Sequence, residues 1–264
     1  MNKKNSMSLY NDSIVDYLIP GNSIDCVIFG YEDQLLKILL LKWKTIDLWA
    51  LPGGFILKNE DMDKAAHRIL KDRSGLDNVF LNQFHTFGNK NRRELLNQNI
   101  PKEVESFEKN TIKEHPRLAK WLEQRFITTG YFALVDIKKA KPIPDVLSDT
   151  CEWVSVNELP VLIYDHNHII NTCLKHIAIQ LNYLPIGISL LPNKFTMQDL
   201  QRLYEAFLNK KLERSNFQRK MLKLDIFIRL EKQLTGAANK APYLYSFNKS
   251  KYLELVKKGI GFSY

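Results

Sequence analysis

The sequence predicts an α/β domain followed by a small basic module of two helices and a β-hairpin. Short apolar runs at residues 23–30, 35–41, 49–51, 79–87 and 125–137 alternate with helical stretches that open near residue 60 and near residue 166. That alternation is the pattern of a sheet covered by helices on both sides, an α/β sandwich. Charge divides the chain at the same place as pattern does. Residues 1–183 hold 23 Lys and Arg against 23 Asp and Glu, whereas residues 184–264 hold 15 against 6, so the whole net charge of +9 belongs to the last third. Within that third, two amphipathic helices lie a few residues apart and two short strand-like runs follow.

Taken in order, residues 1–21 read as a polar, flexible arm closed by Pro20-Gly21. Residues 23–30 and 35–41 then form a buried hairpin about a turn at 31–34. A short strand at 49–51 leads through Pro52-Gly53-Gly54 into a helix. Asn59 is its expected N-cap, Glu60, Asp61 and Asp63 are acids of its first turn, Lys71 and Arg73 lie in its last turn, and Gly75 lies just past its end. A strand at 79–87 carries Phe80, Phe84 and Phe87. Residues 91–124 are charged, with helices expected at 102–109 and 117–124, and read as a solvated surface insertion. Strands at 125–137 and 152–155 and a helix at 166–181 complete the first domain, taken as 22–183. Leu184-Pro185-Ile186-Gly187 marks the boundary with the basic module, 184–264.

Composition excludes several classes. With 45% hydrophobic and 25% charged residues the chain is neither disordered nor a membrane span, and no apolar run approaches the roughly 20 residues a bilayer needs. The opening segment lacks the apolar core of a signal peptide. Cys26, Cys151 and Cys173 are odd in number and lack metal-ligand spacing, so reduced thiols in a cytoplasmic protein are expected.

The basic module reads as a helix-turn-helix. Thr196 caps a first helix whose Leu200, Leu203, Tyr204 and Phe207 share one face. On the second helix, 214–224, Phe217, Met221 and Leu224 would pack inward, while Ser215, Asn216, Arg219 and Lys223 point away, flanked by Gln218 and Lys220. Arginine pairs with guanine edges, asparagine and glutamine with adenine, and lysine with phosphate, so this face has the chemistry of a DNA-reading helix. Strands at 226–234 and 243–247 around a loop carrying Lys240 would form a wing. The candidate DNA contacts are Thr196, Arg214, Ser215, Asn216, Gln218, Arg219, Lys220, Lys223 and Lys240.

From Gly54, five residues, Glu60, seven residues, Arg68, then Gly75-Leu76 reproduce the spacing of the Nudix box of diphosphate hydrolases, which this stretch resembles. The resemblance implies a glycine loop and helix followed by three glutamates that hold magnesium against a substrate diphosphate. Here those three positions are Ile69, Asp72 and Arg73. Magnesium requires oxygen ligands. A fixed positive charge beside it costs about 8 kcal/mol at about 4 Å and an effective dielectric of about 20, which predicts that metal-dependent hydrolysis is lost. No catalytic residue, metal or cofactor is therefore expected.

Residues 190–227, together with the box, TTGYFALVDI and the stretch Leu159-Pro160 to Asp165, are similar to the Nudix-related transcriptional regulators, which join a Nudix-like sensor to a C-terminal winged helix. The resemblance implies a cytoplasmic homodimeric repressor with a double-stranded DNA operator as partner. It also implies a small-molecule effector, either a pentose such as arabinose or an ADP-ribose-like metabolite. IDCVIFG, WALPGGF and LPVLIYDH lean towards the sugar-responsive branch and carbohydrate metabolism. Candidate effector contacts are Lys42, Trp49, Arg68, Asp72 and Phe84, with Arg68 and Asp72 also an ordinary i, i+4 pair. The competing readings are a working Nudix hydrolase of a nucleoside diphosphate derivative and an RNA-binding or scaffold protein.

Overall fold

A 3-10 turn at Asp12–Tyr17 runs into β1 (Leu18–Glu32), the longest strand of the first sheet, in a computed structural model that describes residues 12–43, 48–77, 79–92, 116–145, 148–181, 190–233 and 241–258. The apolar run that predicts the hairpin is fully realised: residues 24–30 of β1 and 38–41 of β2 (Leu35–Trp43) are all buried. Asp33 and Gln34 turn the chain between them with φ of 52° and 64°, both in the left-handed region that a tight hairpin requires.

β3 (Trp49–Ala50) and β4 (Gly53–Leu57) precede α1 (Met62–Ser74), and β5 (Leu81–Phe87) follows it. Then come α2 (Pro116–Leu122), β6 (Ile127–Leu134), β7 (Ser148–Ser155) and α3 (His166–Gln180). The sheet runs β3-β2-β1-β6-β5, with β4 paired to β1 and β7 to β2. Buried Ala65, Ala66, Ile69 and Leu70 of α1, and Ile169, Ile170, Cys173 and Ile177 of α3, supply the helical side of the core. This is the α/β fold that the alternating pattern predicts.

Two expectations are corrected here. The second half of the expected arm is packed: Ile14 and Leu18 form a core cluster with Leu118 and Trp121 of α2, and the four are 3%, 2%, 3% and 6% exposed. Phe55 and Phe126 close that cluster, their rings 4.6 and 4.9 Å from that of Trp121. The end of the expected solvated insertion is therefore also core, because Leu118 and Trp121 recur at helical spacing and find an apolar partner in the N-terminal turn. The helix expected at 102–109 and the boundary at 184–187 fall outside the described residues.

The second sheet runs β8-β10-β9, built from β8 (Phe195–Thr196), β9 (Phe227–Lys232) and β10 (Tyr243–Phe247). α4 (Met197–Leu208) and α5 (Arg214–Leu222) lie between β8 and β9, and α6 (Lys249–Lys258) follows β10. Phe195, Phe227 and Phe247 stack with centroids 5.0–6.2 Å apart and hold the three strands together. The chain packs as two compact units. One is 1–28, 38–133 and 140–173, and the other is 29–37, 134–139 and 174–264, so the second includes the hairpin tip and the latter part of α3 as well as the helix-turn-helix. No helix among the described residues is long and apolar enough to cross a membrane.

Candidate functional site

β4 lies so close to β1 at Gly53, and to α1 at Gly54, that a side chain has no room at either. A Cβ at Gly53 would stand 2.7 Å from Asp25 Oδ1 and 2.9 Å from the Ile24 carbonyl oxygen, and one at Gly54 would stand 3.0 Å from the Ile69 side chain. Ile69 is 3% exposed and packs against Gly54, which leaves hydrocarbon at the first expected metal position. Asp72 is exposed and Arg73 half-buried, the Arg73 carbonyl accepting from Ile143 N–H at 2.9 Å. An isoleucine, one carboxylate and a guanidinium do not make a magnesium site. Among the described residues no group of three His, Cys, Asp or Glu side chains is placed to hold a metal ion. The donor set does not fit the metal that the box implies.

Glu60 stands outside the helix, not in its first turn as the sequence predicts. α1 begins after Asp61, which replaces Asn59 as the N-cap residue, and it ends at Gly75, whose φ is 68°. Glu60 accepts from Arg68 Nε and Nη2, both at 2.8 Å, and from Leu57 N–H at 3.3 Å. Arg68 also donates to the Phe55 carbonyl at 2.9 Å. The bidentate pair holds the Glu60 carboxyl below the usual carboxylate range and binds the loop to the helix. Arg68 is thus held chiefly by Glu60, with the expected i, i+4 partner Asp72 adding a weaker attraction.

Lys42 and Trp49, the other effector candidates on this side of the chain, face each other across the β2–β3 ladder, with the ammonium 5.5 Å from the indole. Phe84 lies over Gly130, where a Cβ would stand 2.6 Å from the ring, and packs on Phe87 and Phe132. Its part is to fill the space that a glycine opens.

A buried charged cluster has no local sequence signal. Arg92, 8% exposed, donates to both carboxylate oxygens of Asp165, at 2.7 and 2.8 Å, and reaches Asp25 at 3.5 Å. His166 Nδ1 accepts from Leu51 N–H at 3.0 Å, which places the ring proton on Nε2, 3.6 Å from Asp25 Oδ1. Burial pushes the His166 pKa down despite that carboxylate, so the ring is neutral near pH 7. The cluster fixes β1, the segment after β5 and the start of α3 to one another.

The DNA candidates are placed by α4 and α5. Phe217 and Met221 are buried, and the Phe217 ring meets Tyr204 edge-on at 5.2 Å, which directs the opposite face of α5 outwards. Arg214, Ser215, Asn216, Arg219, Lys220 and Lys223 are all exposed and Gln218 is half-buried. Arg219 Nη2 donates to Asn216 Oδ1 at 2.8 Å, which orients the two side chains together. The helix ends at Leu222, so Leu224 falls in the following turn and is only half-buried. Glu213 is the unanticipated N-cap: its carboxylate accepts from Ser215 N–H at 2.8 Å and Asn216 N–H at 2.6 Å. Thr196 is 6% exposed and forms a capping box with Asp199, so its hydroxyl holds α4 in place and does not face solvent. In the wing, the Arg229 guanidinium lies 3.4 Å from the centre of the Tyr243 ring. Lys240 lies outside the described residues.

Sheet, degenerate box and helix-turn-helix with a wing define the class, and the chain belongs to the Nudix family. The NUDIX domain family model matches residues 20–174, and that of the NrtR DNA-binding winged helix domain matches residues 187–247. The chain is 28% identical over 244 residues, 90% of its own length and 86% of the relative's, to the ADPR responsive transcriptional repressor NtrR of Acinetobacter baylyi. Shewanella oneidensis NrtR shares the fold, both in one crystal structure and in another complexed with a 27mer DNA. The TM-scores are 0.63 and 0.64 at 23% and 22% identity, covering 88% of this chain and 96% and 95% of those chains.

Proposed function

We propose that this protein is a DNA-binding transcriptional repressor of the cytoplasm whose Nudix-type domain senses a small metabolite without hydrolysing it. The outward face of α5 carries this reading. It sets Asn216, Arg219, Lys220 and Lys223 on a helix fixed from behind by Phe217 and Met221, beside a two-stranded wing. The matched winged helix model and the repressor relative support it from outside the chain. Two copies would place two such helices on the half-sites of a near-palindrome.

The effector we propose is of the ADP-ribose kind. That the Acinetobacter baylyi relative is ADPR responsive supports that choice over a free pentose. Ile69, which puts a buried hydrocarbon where the family carries a carboxylate, supports the reading that hydrolysis is lost. Of the five effector candidates, Arg68 and Phe84 have structural partners that account for them, while Lys42 and Trp49 pair with each other beside the start of the glycine loop.

A gel-shift titration with a duplex selected from random sequence tests the DNA reading. Arg219→Ala is expected to cost about 1–3 kcal/mol of specific binding with unchanged circular dichroism. Undiminished affinity would remove α5 from the interface. Equal, salt-sensitive affinity for single-stranded RNA would favour a general nucleic-acid binder instead.

A further inference from the structure

The tip of the β1–β2 hairpin falls in the same compact unit as the helix-turn-helix, residues 29–37 with 134–139 and 174–264. Within that unit the Phe29 ring meets Phe207 of α4 edge-on, with centroids 5.6 Å apart and both side chains buried. Tyr31, two residues on and so on the same face of the strand, lies within electrostatic reach of Asp199, Arg202 and Glu205 of α4. We propose that this seat of the hairpin tip on α4 is the switch through which the Nudix-type domain sets the state of the DNA-reading helix, the seated tip being the DNA-competent arrangement. The inference rests on the sensor function proposed above.

The tip is built to move as one piece. Asp33 and Gln34 make a tight turn, and Lys37 Nζ closes it by donating to Glu32 Oε2 at 3.0 Å. Val135 N–H donates to the Phe29 carbonyl at 2.9 Å, which pins the base of the tip. α4 is in turn held to α5 by Tyr204, whose ring meets Phe217 at 5.2 Å. Packed interiors transmit displacement, so a shift of α4 carries α5 with it. The seat is also finely balanced. Its rings supply apolar contact, but the Tyr31 hydroxyl is buried without a hydrogen-bond partner among the described residues. An unpaired buried hydroxyl opposes the seated arrangement and narrows its lead over the unseated one.

The same strand reaches the sensor. β1 is hydrogen-bonded on both sides, to β2 and to β6. Asp25 and Cys26 of β1 belong to the first unit and grip the glycine loop: Asp25 is the register partner of Gly53, and Cys26 N–H donates to the Pro52 carbonyl at 2.7 Å. At about 3.3 Å per residue, only about 13 Å of strand separates Asp25 from Phe29. A ligand that favours one position of the glycine loop therefore biases the tip through a single, doubly paired strand.

Tyr31→Phe and Tyr31→Ala shift the seat in opposite directions, since the first removes only the unpaired hydroxyl and the second removes the ring as well. Hydrogen–deuterium exchange of the full chain reads the seat without any ligand. The α4 amides are expected to exchange roughly threefold more slowly in Tyr31→Phe and roughly threefold faster in Tyr31→Ala. Anisotropy of the selected duplex, titrated with ADP-ribose, reads the switch. Tyr31→Phe should need roughly threefold more ADP-ribose for half-release, and Tyr31→Ala should bind the duplex roughly tenfold more weakly before any is added. Exchange untouched by both variants, or equal duplex affinity and half-release in all three proteins, would overturn the inference. So would a shift in the same direction in both, the mark of a side chain that only supports the fold. Failure of the sensor reading shows separately, as unaltered protein that holds the duplex at saturating ADP-ribose; exchange and the duplex affinity of Tyr31→Ala then decide the seat alone.

Discussion

Arg92 stands between Asp165 and Asp25 with little access to water, and removing it would leave two carboxylates buried together. Breaking a buried pair in this way costs about 3–5 kcal/mol. Arg92→Ala should therefore lower the stability measured by urea denaturation by about that amount, and a loss near that of a surface pair, under about 1 kcal/mol, would contradict the geometry. His166 adds a pH dependence of known sign. Its folded pKa is depressed below the unfolded value of 6.5, so above that value both states are neutral and the group contributes nothing. As pH falls below 6.5 the unfolded chain takes the proton first and stability drops. His166→Asn keeps an acceptor for Leu51 N–H but cannot titrate. The Tm of this variant should fall less between about pH 7 and about pH 5 than that of the unaltered protein, and equal slopes would exclude a buried neutral imidazole. None of this cluster was legible beforehand, since Arg92 and Asp165 are 73 positions apart and only the fold pairs them. Glu213 was missed for a different reason: glutamate is not among the favoured N-cap residues, and its longer side chain reaches the two amides only once the turn has formed. Residues whose roles depend on one helix face, such as Phe217 and Met221, were readable from spacing alone.

At the scale of elements, periodicity decided what could be read. β1, β2, β6, α3 and α4 are long or strongly patterned, and the chain announces them. β4 was hidden because Gly53-Gly54 read as a loop, whereas close approach to Asp25 and Ile24 makes Gly53 a condition of the pairing, and Gly54 makes room for Ile69 of α1. β8, two residues long, and α6 lacked a pattern of sufficient length. α2 was visible as a helix, but its charged surroundings suggested solvent; its burial depends on an N-terminal turn that polar neighbours also disguised. Trp121→Ala should cost about 3–5 kcal/mol, as for a large core aromatic, and should loosen the N-terminal turn, seen as faster amide exchange at Ile14 and Leu18. Exchange unchanged at those positions, or a loss below about 1 kcal/mol, would return α2 to the surface.

At the scale of the whole molecule, the box has the family's frame with a donor set that does not suit magnesium. Gly53, Gly54, Glu60 and Arg68 hold strand, loop and helix together through the close approach of Gly53 to β1, that of Gly54 to Ile69 of α1, and a bidentate ion pair. Ile69, packed on Gly54, and half-buried Arg73 fit that framework without a metal ion. A sensor of this kind acts only through its differential affinity for the DNA-competent and DNA-incompetent states, and near-complete release of operator requires a difference of about 5.5 kcal/mol. The direct measurement is fluorescence anisotropy of a selected operator duplex bound to the protein, titrated with ADP-ribose in the presence of EDTA. The account predicts that anisotropy falls to that of free duplex while ADP-ribose is recovered intact; anisotropy that stays high, with ADP-ribose cleaved once magnesium replaces the chelator, would contradict it.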